Sequence, residues 1–433
     1  MNATVAAFLE ANGLGEHLLD TEKLLADFAA EMEAGLAGRA SSLPMIPAYL
    51  TTDAAVPADQ PVIVLDAGGT HLRVGVVRFD AAGRPAISRF TRHRMPGTEA
   101  PLTADAFFNT LADTLMPVIA EADRIGFCFS YRAEITPDGD GRLLRWSKQI
   151  QAPEVEGRLV GAELNQRLAA RGHPRRITVL NDTVAALLAG KSAGMARRYG
   201  DYVGYILGTG TNTACVVGNA AIGKLPGLDP RGHMIVNIES GGFGRAPRSR
   251  FDEAFDATTL DPGAYAFEKM ISGGYLGGLG LTVLQAAARE GLLSAACGQA
   301  ILAWPRLENK DLDDFCDNPF LASGPFAAVP LTDDDRRAVQ AMGQALYRRA
   351  ARLSAVNLAA VILAGGRGAD PLAPVCVNVD GSTFYRTRSA AFRSRIEEHL
   401  RAMLEPRGIH YERVGVEDAP VIGAAVAGLT RPS

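Results

Sequence analysis

Two stretches of the chain repeat one pattern: an apolar strand, a turn of glycine and threonine, and a second apolar strand. The first is VIVLDAGGTHLRVGVVRF, Val62 to Phe79, and the second is YVGYILGTGTNTACVVG, Tyr202 to Gly218. Each reads as a β-hairpin bounded by turn residues. A repeat at roughly 140 residues lies outside solenoid periods, so it points to a duplicated α/β domain rather than an array. A chain of 433 residues also exceeds what one hydrophobic core usually fills. Two domains, or one bilobal unit, are the expected arrangement.

The turns themselves narrow the chemistry. The chain holds 46 glycines, where average usage of about 7% would give roughly 30. Consecutive glycines let backbone N–H groups converge, and converging N–H groups bind phosphate oxygens; threonine adds a hydroxyl donor. In the first turn Asp66 ends a strand beside Gly68, Gly69 and Thr70, where its carboxylate could hold a hydrated magnesium ion, and Arg73 adds positive charge. A tight hairpin that needs glycine for positive φ explains one such turn equally well. Two turns, both with threonine, favour phosphate. Neither is a Walker A loop, since G-x-x-x-x-G-K-[ST] is absent, and GTGTNT does not open a helix as a dinucleotide fingerprint would.

Several function classes fall away. The 44 Lys+Arg against 48 Asp+Glu give a net charge of −4 with no long basic run, so no nucleic-acid footprint is present. The 47% hydrophobic and 21% charged residues match a soluble globular chain. Five cysteines, at 128, 215, 297, 316 and 376, show no C-x-x-C spacing, which argues against structural zinc or a disulfide framework. No stretch reaches membrane-span length, and residues 1–20 lack a secretory signal. The expected setting is cytoplasmic, with small partners.

Local patterning places the remaining elements. Leu25, Phe28, Met32 and Leu36 fall on one helical face behind Asp20, a candidate N-cap. Strands are expected at ISRFTRHR, IGFCFS, LLRWSK and RITVL, with helices over Phe107 to Leu115 and from Asn181–Asp182 into TVAALLAG. In the second half, helices are expected near Phe267–Leu279, Ala338–Ala351 and Gly423–Leu429, and an apolar strand at Val361.

LDAGGTHLRV and LGTGTNTAC resemble the two phosphate-binding segments of the hexokinase family, within the actin-like ATPase superfamily. FAAEMEAGL, SSLPMIPAYLT, FSYRAEI, LLRWSK, VLNDTVAALLAG, VNIESGGFG, DPGAYAFEKMISGGYLG and VDGSTFYR follow in family order, from about Phe28 to Leu429. The resemblance implies a bilobal α/β, ribonuclease H-like fold. The large lobe would comprise 1–60 and 181–416, the small lobe 61–180, and the last helix, 417–433, would return to the small lobe. It implies a hexose kinase using ATP and magnesium, acting on glucose at its 6-hydroxyl. Asp182 would be the general base and Lys148 a cation beside the transferred phosphoryl group. Ser130, Ser147, Asn181, Asn212, Glu239 and Glu268, with Lys148 and Asp182, would bind the sugar. Asp66, through water, would meet the metal. Gly68, Gly69, Thr70 and Arg73 from one turn, and Gly208, Thr209, Gly210 and Thr211 from the other, would hold the phosphates; Asp380, Gly381 and Ser382 would lie near the adenosine.

Each residue also has a plainer role: Asp182 or Asn181 as a helix cap, Lys148 as a solvated lysine, the sugar set as caps and surface polar groups. The chain departs from the family pattern at His71 (usually asparagine), Tyr131 and Arg132 (phenylalanine and proline) and Ser240 (tryptophan), and VEDAPVIGAA lacks the usual glycine-lysine pair. Two other readings follow from the same residues. A sugar sensor without turnover would have no chemical need for Asp66, Lys148 and Asp182 together. The repressor and kinase group of bacterial sugar kinases usually carries a cysteine-rich zinc motif, absent here.

Overall fold

A computed structural model describes residues 3–146, 150–193, 197–321 and 324–431. Its strands, in chain order, are β1 (Ile46–Pro47), β2 (Val62–Ala67), β3 (His71–Phe79), β4 (Pro85–Arg94), β5 (Arg124–Phe129), β6 (Arg132–Ile135), β7 (Gly141–Arg145), β8 (Arg176–Leu180), β9 (Asp201–Leu207), β10 (Thr211–Gly218), β11 (His233–Asn237), β12 (Val375–Asp380) and β13 (Tyr411–Val414). One sheet runs β4-β3-β2-β5-β8 and the other β11-β10-β9-β12-β13, with β1 added beside β11. In both, three antiparallel strands are followed by two that run parallel to the first. The duplication expected from the two hairpins is thus a duplication of a whole five-strand topology.

Sequence explains each strand's place. β2 is buried along its full length, as a central strand covered on both faces must be. β4 starts at a proline, carries three arginines and a histidine over ten mostly exposed residues, and lies at the edge, where charge and proline discourage further pairing. The expected N-terminal helix is Thr21–Leu36, with Asp20 accepting a 3.0 Å hydrogen bond from Lys23 N. Its Phe28 packs on Phe243, the ring centroids 4.5 Å apart.

Between the sheets lie two helices, Asp182–Ala193 and Ala419–Thr430, in contact with each other. The second packs on β2 and β5, the first on β9 and β12. Glycine makes this close approach possible: a Cβ at Gly423 would overlap the Ala185 carbonyl, and one at Gly126 of β5 would overlap that of Ala424. Part of the glycine excess therefore lets backbones meet at the centre of the molecule.

Two expected elements differ. Val361 lies in the long helix Asp333–Gly365, not in a strand; an apolar run buried all round looks the same to periodicity in a helix and in a strand. The helix expected over Phe267–Leu279 is broken into Ala266–Ile271 and Gly273–Arg289, because Ser272 is extended, with φ −95° and ψ 156°. Among the described residues no helix is long and apolar enough to cross a membrane, and all five cysteines are buried and unpaired.

Candidate active site

The first turn joins β2 to β3 and is closed by Gly68 N donating to the His71 carbonyl at 3.0 Å. Neither Gly68 nor Gly69 takes positive φ, so a left-handed backbone is not the reason for glycine here. Asp66 and Arg73 are register partners across the hairpin and pair at 2.5 Å. Arg73 also reaches Asp418, 3.4 Å away at the head of the last helix. Asp66 is only 1% exposed, and its two oxygens have no hydrogen-bond donor at bonding geometry. Burial, with a contribution from the Asp182 charge, holds it above the usual carboxylate range despite Arg73.

The second turn, between β9 and β10, is clamped from behind. The Gly208 carbonyl accepts Thr383 Oγ1 at 2.7 Å and Gly273 N at 2.9 Å, and the Thr209 carbonyl accepts Gly274 N at 2.9 Å. Those carbonyls are thereby turned away from the outer face of the turn. Gly381 has φ 117°, and a Cβ there would meet the backbone of Leu207 and Gly208, so DGS packs directly on this turn. Glu268 Oε2 accepts Thr211 N at 2.7 Å; a Cβ on Gly210 would stand 2.5 Å from that same oxygen.

At the junction of β8 and the following helix, Asn181 Oδ1 accepts Thr183 N at 2.8 Å. Asn181 therefore supplies the helix cap, which releases Asp182 from that plainer role. Asp182 is half-buried, and its charge helps raise Asp66, Glu239 and Asp380 alike, so acids carried by both sheets lie within its electrostatic reach. Glu239 takes a left-handed backbone, φ 59°, a conformation that costs a non-glycine residue energy and clusters at functional sites. Its Oε1 accepts Asn237 Nδ2 at 2.8 Å and Asn212 Nδ2 at 3.2 Å. Burial raises its carboxyl, while these amides and the Arg132 charge oppose the rise.

The arrangement brings together Asp66, Asp182, Glu239 and Asp380 with the two turns, and Asn212 and Glu268 are tied to the same frame by the bonds above. Asp380 feels Asp182 and Arg73, so it stands on the Arg73 side of the group. Ser130 N donates to the Ala67 carbonyl at 3.2 Å beside the first turn. Ser147 and Lys148 lie outside the described residues. Sequence reasoning missed Asp418 and Thr383. The only sign of the first was an acid preceding AP at a helix start, and of the second the threonine after DGS.

The comparisons decide the family. Two family models, each described as hexokinase, match residues 16–192 and 202–430. Hexokinase-7 of Oryza sativa subsp. japonica is 31% identical over 376 residues, 79% of this chain and 79% of that protein. The chain belongs to the hexokinase family. Hexokinase-2 of Saccharomyces cerevisiae is 27% identical over 400 residues, covering 83% of this chain and 77% of its own. A Schistosoma mansoni hexokinase solved with glucose superposes with a TM-score of 0.81 at 25% identity, over 98% of both chains. The fold is the actin-like ATPase fold, and the chain is a hexose-phosphorylating kinase.

The departures from the hexokinase pattern have physical settings. Ser240 is fully buried, 3.0 Å from Thr213 Oγ1 and 3.4 Å from Asn357 Nδ2, so it completes a polar triad beneath Glu239. His71 is exposed and contributes its carbonyl to the turn. Arg132 opposes the rise in the Glu239 carboxyl and stands beside the Tyr265 hydroxyl, which puts a guanidinium against the Glu239 and Tyr265 side of the site.

Proposed function

We propose that the chain transfers the γ-phosphoryl group of Mg-ATP to the 6-hydroxyl of a hexose, glucose in the first place, with Asp182 as general base. One observation carries the reading: Asp182, freed from capping by Asn181, stands within electrostatic reach of carboxylates from both sheets. A hydroxyl nucleophile needs a proton acceptor at the moment of attack, and a carboxylate aligned with it supplies one. Glu239 and Asn212, with Asn181 and Ser130 from the other sheet, offer the mixed acceptors and donors that a ring of hydroxyls requires. Glucose as the acceptor is in keeping with the ligand of the Schistosoma hexokinase structure.

On the donor side, Gly68, Gly69, Thr70 and Arg73 would meet the phosphates from one turn and Gly208, Thr209, Gly210 and Thr211 from the other. The packing of Gly381 on Gly208 favours Asp380, Gly381 and Ser382 as neighbours of the phosphates leading toward the adenosine. Among the described residues no group of three or more His, Cys, Asp or Glu side chains could hold a metal directly. Asp66 would meet a hydrated ion instead: beyond its pairing with Arg73 its buried oxygens make no hydrogen bond of regular geometry, and metal-bound water would supply donors to them. Magnesium, when bound there, neutralises charge on the phosphates. Lys148 would add a cation on the sugar side.

We take the lobes as 1–60 with 181–416, and 61–180 with 417–433. Because the hexose residues are divided between them, sugar binding would draw the lobes together and exclude water from the Asp182 carboxylate. The test is a coupled ADP-release assay across glucose, mannose, fructose, galactose and N-acetylglucosamine. Turnover on at least one, with glucose preferred, is expected. Glucose binding by calorimetry without turnover on any would establish the sensor in its place.

A further inference from the structure

Tyr131 stands where the hexokinase pattern has phenylalanine, and the difference between the two is one hydroxyl. That hydroxyl is placed at a telling point. Tyr131 Oη donates to the Gly68 carbonyl at 2.7 Å, and the residue is 2% exposed. Its ring is held by two neighbours, Trp146 edge-on at 4.7 Å and Phe129 at 4.9 Å, with Phe107 packed behind Trp146. The donor therefore cannot swing away from the carbonyl it serves.

Gly68 and Gly69 share the peptide that this bond holds. In a trans peptide the C=O and N–H point in opposite directions. With the Gly68 carbonyl drawn inward to Tyr131, the Gly69 N–H is directed outward, to the open side of the turn. Glycine on both sides makes such a peptide free to flip at small steric cost, since neither Cα carries a side chain to resist rotation. We infer that Tyr131 is a positioning residue that locks the Gly68–Gly69 peptide with its N–H presented to a phosphate oxygen of the nucleotide. The inference rests on the reading of this turn as a phosphate cradle. The neighbouring residues add a second tie, Ser130 N donating to the Ala67 carbonyl at 3.2 Å, so the 130–131 loop and the 67–68 turn are joined as one piece.

Tyr131→Phe restores the family residue, keeps the ring packing and removes the lock on the Gly68 carbonyl. The expected result is a KM for Mg-ATP raised about 3- to 10-fold, the loss of one well-made neutral hydrogen bond to a donor-orienting peptide, with the KM for hexose and the melting temperature little changed. A purely structural hydroxyl would lower the melting temperature and leave the Mg-ATP constant alone, and that result overturns the inference, as does an unchanged KM for Mg-ATP in a stable variant. Wild-type turnover is the control: if the wild type phosphorylates no hexose, the proposed function fails; if it does and Tyr131→Phe is indistinguishable from it, only the positioning role fails.

Discussion

Replacing Gly210 with alanine should weaken the binding of both substrates at a modest cost to the fold. The added Cβ would stand 2.5 Å from Glu268 Oε2 and 3.2 Å from its Cδ, closer than atoms can pack. Gly210 does not occupy positive φ, so alanine fits the backbone, and the reduced freedom of the unfolded chain contributes about 0.4–1 kcal/mol in its favour. The obstacle is the far end of a flexible side chain, which can rotate aside. What is lost when it rotates is the 2.7 Å bond from Thr211 N to Glu268, a bond to a carboxylate worth roughly 1.5–3 kcal/mol. At about 1.4 kcal/mol per tenfold, the KM for Mg-ATP, assigned above to the turn, and the dissociation constant for hexose, assigned to Glu268, should on the proposed function each rise by about 10- to 100-fold. Steady-state kinetics with both substrates varied, calorimetry with glucose and a thermal melt measure the three quantities. A change confined to Mg-ATP, with hexose binding intact, would show that Glu268 does not join the two sites, and the reasoning would be wrong.

Other outcomes follow from the same geometry. Asp66→Ala should impair use of Mg-ATP by at least tenfold in kcat/KM, because its proposed partner is the hydrated ion, and leave calorimetric glucose affinity within about twofold; loss of glucose binding with normal ATP dependence would place the turn on the wrong ligand. Asp201 is raised to about 6 by burial, against the Tyr202 N–H and Arg367; its contribution to stability is full below the unfolded pKa near 4 and is lost as pH rises through 6, by roughly 3 kcal/mol at most. Asp201→Asn, which keeps an acceptor for Tyr202 N, should therefore raise the melting temperature more at pH 8 than at pH 5, and an equal change at both would refute the assignment. Saturating glucose should reduce the radius of gyration in small-angle scattering, and ATP hydrolysis without sugar should be slow; an unchanged radius would remove lobe closure from the account.

Much of this site was legible because its signals are local. Strand, glycine turn and strand are contiguous, and VLNDT puts an apolar strand, a cap and an acid within five residues, so both turns and Asp182 could be read directly. Pairings made by the fold could not. Asp418 meets Arg73 from 345 positions away, and Tyr131 meets Gly68 from 63; in the sequence Tyr131 is only a departure from a pattern. Arg132 likewise gains meaning only once β6 brings it near Glu239. Val361 shows the opposite limit: Leu358 to Ile362, five apolar residues in a row inside the helix Asp333–Gly365 and all buried, carry no period to separate helix from strand.

The central claim is that Asp182 accepts the proton of a hexose hydroxyl as phosphate is transferred, and the direct measurement is kcat of Asp182→Ala beside its glucose affinity by calorimetry. Loss of a general base costs about 10²–10⁴-fold in rate. The account predicts a fall in kcat of that size with glucose binding weakened far less. A folded Asp182→Ala protein that turns over hexose at near the wild-type rate would contradict it.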